Sequence, residues 1–408
     1  MNIIMPEELK ILSSLFALNG TPLYIVGGYV RNAVLGIYNT DIDTAASCTA
    51  EEVIELLNGT QFFCKEQSKK MGTLKIYSSK NFECEYTAFR SEQYSSGGDH
   101  KPASVSFNAD IMEDAKRRDF TCNALYYDIQ KQKIIDFYNG QKHTLEHTIK
   151  VISDSVFQSD GLRLLRLIRQ SAELNFKIDA HTFNLACLEV NKLKDISPER
   201  IRVELECMLV ADKKYGIGNY LLALQRLIRM GASKYVFKTE NIKFKYLKQC
   251  EQISRLSALV IDMGLKDHDI FVFMGAKGLK FSNRIINKTA LTVSAFYELK
   301  CCVKNALNTR LFIQKYHAVL DDLLGLKYKH TQLQQQLKIM HDKNMPCCLN
   351  ELSINGIVIM RYFPMISANK IGVILQDLLS YTAQNGNLNK QNILLNKIGN
   401  DIKAGKYT

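Results

Sequence analysis

Leu23-Tyr24-Ile25-Val26-Gly27-Gly28-Tyr29-Val30-Arg31-Asn32, followed by Asp41-Ile42-Asp43, is the stretch whose reading decides the fold. Four apolar residues of β type run into a double glycine and then a helical pattern, which makes a strand-turn-helix unit. Glycines at such a turn let backbone N–H groups approach phosphate oxygens, and the helix start behind them favours an anion. Arg31 adds a fixed cation. The pattern matches neither G-x-G-x-x-G nor G-x-x-x-x-G-K-[ST], and a lone Gly-Gly before a helix is a plain turn more often than not. In Asp41-Ile42-Asp43, strand alternation places both carboxylates on one face and turns Ile42 into the core. Two hard carboxylates on one face suit a divalent cation that activates a hydroxyl beside a triphosphate.

Working outward, short β-type runs recur at Thr73-Leu74-Lys75-Ile76-Tyr77, Phe82 to Phe89, Val105-Ser106-Phe107 and Ile134-Ile135-Asp136-Phe137. From about Asp154 onward only helical spacing is found, as in Ile371, Ile374, Leu375, Leu378 and Leu379, which form one apolar stripe. Asn385-Gly386-Asn387 reads as a helix C-cap and turn. The expected class is α+β, a mixed head followed by an all-α remainder.

Two further blocks carry candidate chemistry. In Arg117-Arg118-Asp119-Phe120-Thr121-Cys122-Asn123-Ala124-Leu125, guanidinium forks suit phosphate oxygens and a carboxylate suits a ribose hydroxyl, although an exposed helix start with Asp119 as cap would look the same. In Ser159-Asp160-Gly161-Leu162-Arg163-Leu164-Leu165-Arg166-Leu167-Ile168-Arg169, Asp160 and three arginines recur every three residues and so share one side of a helix. Arg can donate to ring acceptors of a base and Asp can accept from an exocyclic amine. The plain alternative is an amphipathic helix with a solvated basic face.

Composition sets bounds on all of this. The chain has 408 residues, 46% of them hydrophobic and 23% charged, which excludes a disordered or fibrous protein and leaves room for two to four compact units. Its 53 Lys plus Arg against 41 Asp plus Glu give a formal +12, in keeping with a polyanionic partner. The eleven cysteines show no CxxC spacing and read as reduced, mostly buried thiols. No run approaches a membrane span and the N-terminus lacks a signal pattern, so a cytoplasmic protein without membrane contact is expected. His268, His317, His330 and His341 lack Asp neighbours suited to a phosphohydrolase metal cluster, and His268-Asp269, the nearest approach, reads as a helix-surface pair.

With the four blocks in this order, the chain resembles the class II tRNA nucleotidyltransferase and poly(A) polymerase family, its bacterial CCA-adding branch above all. Glu85-Tyr86-Thr87-Ala88-Phe89-Arg90 with Pro102 and Val105-Ser106-Phe107 is similar to the family's central strands. Ser197-Pro198-Glu199-Arg200-Ile201-Arg202-Val203-Glu204-Leu205 is similar to a later helical motif, and the segment from Leu352 to Leu395 to its tail. The resemblance implies a catalytic head at 1–150, a base-recognition neck at 151–212, a body at 213–310 and a tRNA-binding tail at 311–408. It implies Mg²⁺ on Asp41 and Asp43, and triphosphate contacts from Gly28, Arg31 and Arg117. Asp119 would lie near the ribose, Asp160 and Arg163 would read the base, and Arg166 and Arg169 would complete the nucleotide pocket. The implied partners are tRNA, CTP and ATP; the oligomeric state stays open, with a homodimer among the options. Asn32 stands where the family usually has Asp, Ser159 where it usually has Glu, and Gly161 where Pro is common. The implied activity is template-independent addition of C, C and A to a tRNA 3′ end. Partial CC or A addition and poly(A) synthesis share the same motifs, and a tRNA-binding protein without catalysis is the alternative from another class.

Overall fold

A computed structural model describes residues 3–37, 41–68, 71–93, 104–107, 109–239, 242–328 and 331–407. Pro102 of the strand motif and His330 lie outside these residues. The chain forms two compact units, Met1–Glu240 and Asn241–Thr408.

The first unit begins with α1 (Glu7–Leu18), β1 (Tyr24–Val26), α2 (Gly28–Val34), β2 (Asp43–Ala46) and α3 (Ala50–Leu57). There follow β3 (Phe62–Ser68), β4 (Thr73–Ser78), β5 (Phe82–Ala88), the short pair β6 (Ser91–Gln93) and β7 (Ser104–Ser106), α4 (Ile111–Lys116), β8 (Leu125–Asp128) and β9 (Lys133–Asp136). Seven strands make one sheet in the order β3-β4-β5-β2-β1-β8-β9, in which only β2 and β5 run parallel.

Strand β1 is buried on both faces because apolar clusters pack on either side of the sheet there. Ile25 points to one apolar cluster with Leu9, Leu12 and Phe16 of α1, while Tyr24 and Val26 join Phe89, Ala115 and Tyr126 on the other. Leu9, Leu12 and Phe16 fall at the three- and four-residue spacing that puts them on one stripe of α1. Capping boxes start α3, between Thr49 and Glu52, and α4, between Asp110 and Glu113, where each side chain satisfies a backbone N–H that the first helical turn leaves open.

After α5 (Gly140–Leu145) the unit is helical: α6 (Val156–Ser159), α7 (Leu162–Glu173), α8 (Ala180–Leu188), α9 (Pro198–Leu209), α10 (Ala211–Lys214), α11 (Tyr220–Arg229) and α12 (Ser233–Val236). One short parallel pair, Thr148–Ile149 with Lys177–Ile178, interrupts the expected all-α stretch. Helix α7 buries Leu164, Leu165, Leu167 and Ile168 and packs against α9, α10 and α11. Helices α7, α9, α10 and α11 therefore belong to one compact unit.

The second unit is helical throughout its described residues. Its Ile371–Thr382 helix buries Ile371, Ile374, Leu378 and Leu379, with Leu375 against the same cluster, as the stripe in the sequence requires. That helix ends at Ala383; Asn385 instead starts a separate short turn by accepting from the N–H of Asn387. All eleven cysteines are unpaired, but only Cys48, Cys84, Cys122 and Cys250 are fully buried, fewer than the composition suggested. No described helix is long and apolar enough to cross a membrane. The fold class is α+β, as expected from the sequence.

Candidate active site

The strand-turn-helix unit delivers Gly27 and Gly28 to a cavity of about 560 Å³. Gly27 adopts φ +70°, a left-handed conformation that disfavours other residues, and a Cβ there would come within 3.4 Å of the Arg118 guanidinium. All ten residues singled out in the sequence line this cavity: Gly28, Arg31, Asp41, Asp43, Arg117, Asp119, Asp160, Arg163, Arg166 and Arg169. Nine basic and six acidic side chains surround it, a balance suited to an anionic ligand.

Asp43 opens β2 and Asp41 lies in the approach to it, both exposed, while Ile42 between them is 7% exposed and packs in the core. The alternation read from the triplet therefore holds, and both carboxylates border one cavity. Asp43 is opposite Glu85 in the parallel β2–β5 register. Withdrawal from bulk water inside the cleft, then the charges of Glu85 and Asp41, push the Asp43 carboxyl up to about 6, against the opposing pull of Arg118 and Lys214. Hard carboxylate oxygens suit a divalent cation, and Asp41 and Asp43 are the residues that could hold one. Among the described residues no three His, Cys, Asp or Glu converge on one ion, so further coordination would fall to phosphate oxygens and water.

The arginines are locked by partners that lie far away in sequence. Arg31 is buried; it donates to Oδ1 of Asn123 at 2.5 Å, to Oδ1 of Asn32 at 3.1 and 2.9 Å, and to the Tyr215 hydroxyl at 3.3 Å. Arg117 and Arg118 both grip the buried Asp114, at 2.6 and 3.1 Å, and Arg118 also donates to the Tyr126 hydroxyl at 2.8 Å. Burial raises the Asp114 carboxyl, but Arg118 and Arg117 outweigh it and hold the group at about 2. Asp114 therefore stays charged and fixes the pair. The paired arginines are neither a solvated helix start nor capped by Asp119, the alternative left open by the sequence.

Asp119 is buried and uses both oxygens on protein groups. Oδ2 accepts from Nε and Nη2 of Arg166 at 2.9 and 2.8 Å, and Oδ1 accepts from the Phe120 N–H and from Nδ2 of Asn123, each at 2.9 Å. Asn123 also donates to Gln170 Oε1 at 2.8 Å, so this one amide joins Arg31, Asp119 and α7.

Asp160 does not lie in α7. It precedes the helix in extended backbone, and its Oδ1 accepts from the Leu162 N–H at 2.9 Å, capping the first turn. The three-residue rhythm therefore continues only through Arg163, Arg166 and Arg169. Oδ2 of Asp160 accepts from Arg200 of α9 at 3.0 Å. Arg163 donates to the Val156 carbonyl at 3.2 Å, to Ser159 Oγ at 2.9 Å and to the Arg117 carbonyl at 2.7 Å. Arg169 is held between Glu204 at 2.7 Å and Glu173 at 3.0 Å.

Sequence reading left Asp114, Asn123, Gln170, Lys214 and Tyr215 without a role. Asp114 carried a usable signal, since a helical acid three and four residues before two arginines reaches both. No local pattern marks the others.

Residues 23–150 match the family described as the poly A polymerase head domain. The chain is 28% identical over 387 residues to a CCA-adding enzyme of Ligilactobacillus salivarius, covering 92% of each chain. It is 32% identical over 270 residues to a CCA-adding enzyme of Staphylococcus aureus strain Newman, covering 65% of this chain and 63% of that one. Among solved structures it resembles the Bacillus stearothermophilus CCA-adding enzyme in complex with CTP, with TM-score 0.77, 19% identity and 99% of both chains covered. It also resembles the Thermotoga maritima CCA-adding enzyme complexed with tRNA, with TM-score 0.68, 20% identity and 98% and 97% covered.

Proposed function

We infer that this chain, a nucleotidyltransferase of the class II tRNA nucleotidyltransferase and poly(A) polymerase family, adds C, C and A to the 3′ end of tRNA from CTP and ATP with release of pyrophosphate. The observation that carries this reading is the convergence of a carboxylate pair, a glycine turn and an arginine-lined wall on one cavity.

In this reading Gly28, Arg31 and Arg117 hold the triphosphate, and Asp119 orients Arg166 beside the ribose. Asp160 and Arg163 face the base edge; adenine and cytosine both present an exocyclic amine, so one carboxylate serves both. Asp41 and Asp43 hold divalent metal, which we assign as Mg²⁺ and which supplies charge neutralisation and activation of the attacking hydroxyl. The tRNA 3′-oxygen forms a bond to the α-phosphorus as the bond to the β-phosphate bridging oxygen breaks, and pyrophosphate departs. The chain's own groups supply position and fixed charge, so no covalent enzyme intermediate is needed. We divide the chain into head 1–150, neck 151–212, body 213–310 and tail 311–408, with the tail contacting tRNA. A cytoplasmic location goes with tRNA processing.

The test is incorporation of labelled CTP and ATP into tRNA lacking its 3′ end. Asp41→Ala and Asp43→Ala should each abolish it, and retained activity would overturn the metal assignment. Product length with each triphosphate separately distinguishes full CCA addition from partial addition or a poly(A) tail.

A further inference from the structure

The cations of the cavity differ in how far the protein itself has used them. Seven of the arginines are tied to named groups: Arg31 to Asn32, Asn123 and Tyr215, Arg117 and Arg118 to Asp114, Arg163 to Ser159 and two carbonyls, and so on around the wall. Arg200 is likewise spent on Asp160. Lys214 is the exception among the described residues. It is exposed at the end of α10 and lines the cavity, yet it makes no hydrogen bond or ion pair; its Nζ lies over the Tyr215 ring, 5.5 Å from the ring centroid.

Its place in the cavity is specific. Lys214 borders the same cavity as Asp41 and Asp43, and the next residue, Tyr215, accepts a hydrogen bond from Arg31, whose guanidinium lies 3.4 Å from where a Cβ on Gly28 would sit. Lys214 therefore belongs to the part of the cavity where the glycine turn and Arg31 meet. A locked guanidinium offers a fixed geometry, whereas an ammonium on a four-carbon stem with three rotatable donors can follow an anion that moves.

We propose that Lys214 contacts the triphosphate of the incoming nucleotide and stays with the pyrophosphate as it leaves. This rests on the nucleotidyltransferase reading above and adds a phosphate-contacting residue to it. Lys214 acts by charge and hydrogen bonding to phosphate oxygens, with no proton transferred.

The experiment compares wild type, Lys214→Ala and Lys214→Arg, all as the full chain. Calorimetry with CTP and with CMP, a gel shift with tRNA lacking its 3′ end, and inhibition of incorporation by added pyrophosphate are measured. Loss of one charge-assisted contact predicts that Lys214→Ala weakens CTP binding and pyrophosphate inhibition by about tenfold or more. CMP and tRNA binding should stay unchanged, and Lys214→Arg should recover part of the loss. Because Lys214 is exposed, the variants should keep the wild-type melting curve. Equal weakening of CTP and CMP, or unchanged CTP binding, would overturn the proposal. If wild type itself neither binds CTP nor incorporates it, the functional reading fails instead, so the two failures are distinguishable.

Discussion

Arg31 donates two hydrogen bonds, at 3.1 and 2.9 Å, to the same oxygen of its neighbour Asn32, while the buried Nδ2 of that asparagine has no partner among the described residues. The amide oxygen thus does what a carboxylate would do for Arg31, but the amide nitrogen carries the desolvation penalty of an unmet donor.

Asn32→Asp should therefore improve the enzyme. It exchanges an orphaned donor for a second acceptor and makes both bonds to Arg31 charge-assisted. A gain of about 1 kcal/mol in unfolding free energy is expected, together with a lower KM for CTP and ATP. Urea denaturation and initial rates check it; a destabilised variant would show that the buried carboxylate is worse than the orphaned amide.

Asn123→Ala removes one acceptor from Arg31 and one donor from both Asp119 and Gln170. Three buried groups lose a partner at once, so a stability loss of about 2–4 kcal/mol is expected by summing such penalties. Catalytic efficiency should fall with it because Arg31 and Arg166 lose their common anchor. Asn123→Asp should be no rescue, since it would set a carboxylate against Asp119.

The Asp119 carboxyl is raised by burial, but Arg166 and the Asn123 hydrogen bond outweigh that and hold it at about 2, below its ordinary 3.8. A group depressed in this way contributes stability that is present above pH 4 and is lost as pH falls through about 2. The full contribution is about 2 kcal/mol, of which roughly half should be gone by pH 3. Comparing unfolding free energies at pH 7 and pH 3, Asp119→Asn should be the less stable protein at pH 7 and should lose less than wild type on acidification.

Arg200 reaches Asp160 from α9 and holds the carboxylate assigned to the base edge. Arg200→Ala removes one cation of the cavity wall and releases Oδ2 of Asp160, leaving the carboxylate held only through Oδ1 by the Leu162 N–H. The expected result is reduced discrimination among CTP, ATP, UTP and GTP in competition assays, by about tenfold or less. Melting temperature should barely move, because the pair is partly exposed and such ion pairs contribute little. Unchanged nucleotide selectivity would remove Asp160 from base reading.

Much of the head, and ten of the residues that line the cavity, are legible along the chain. The strands at Tyr24–Val26, Thr73–Ser78 and Phe82–Ala88 were found because alternation and apolar runs are local signals. Strand β8 was missed because Leu125-Tyr126-Tyr127-Asp128 is buried on every residue, so it shows no alternation. Asp160 was placed in the helix by its spacing, whereas Gly161 separates it from α7 and leaves it to cap the first turn.

By itself the sequence determined which residue types are available and in what order: a glycine turn, two acids two residues apart, and arginines at helical spacing. Only the tertiary structure decided what each charge touches. Arg31 meets Asn123 across 92 positions and Arg169 meets Glu204 across 35, and Lys214 alone is left over among the described cations of the cavity. The physical reason is that propensity and periodicity are properties of a few neighbouring residues. A buried charge, by contrast, must find its partner wherever the folded chain brings one within hydrogen-bond reach.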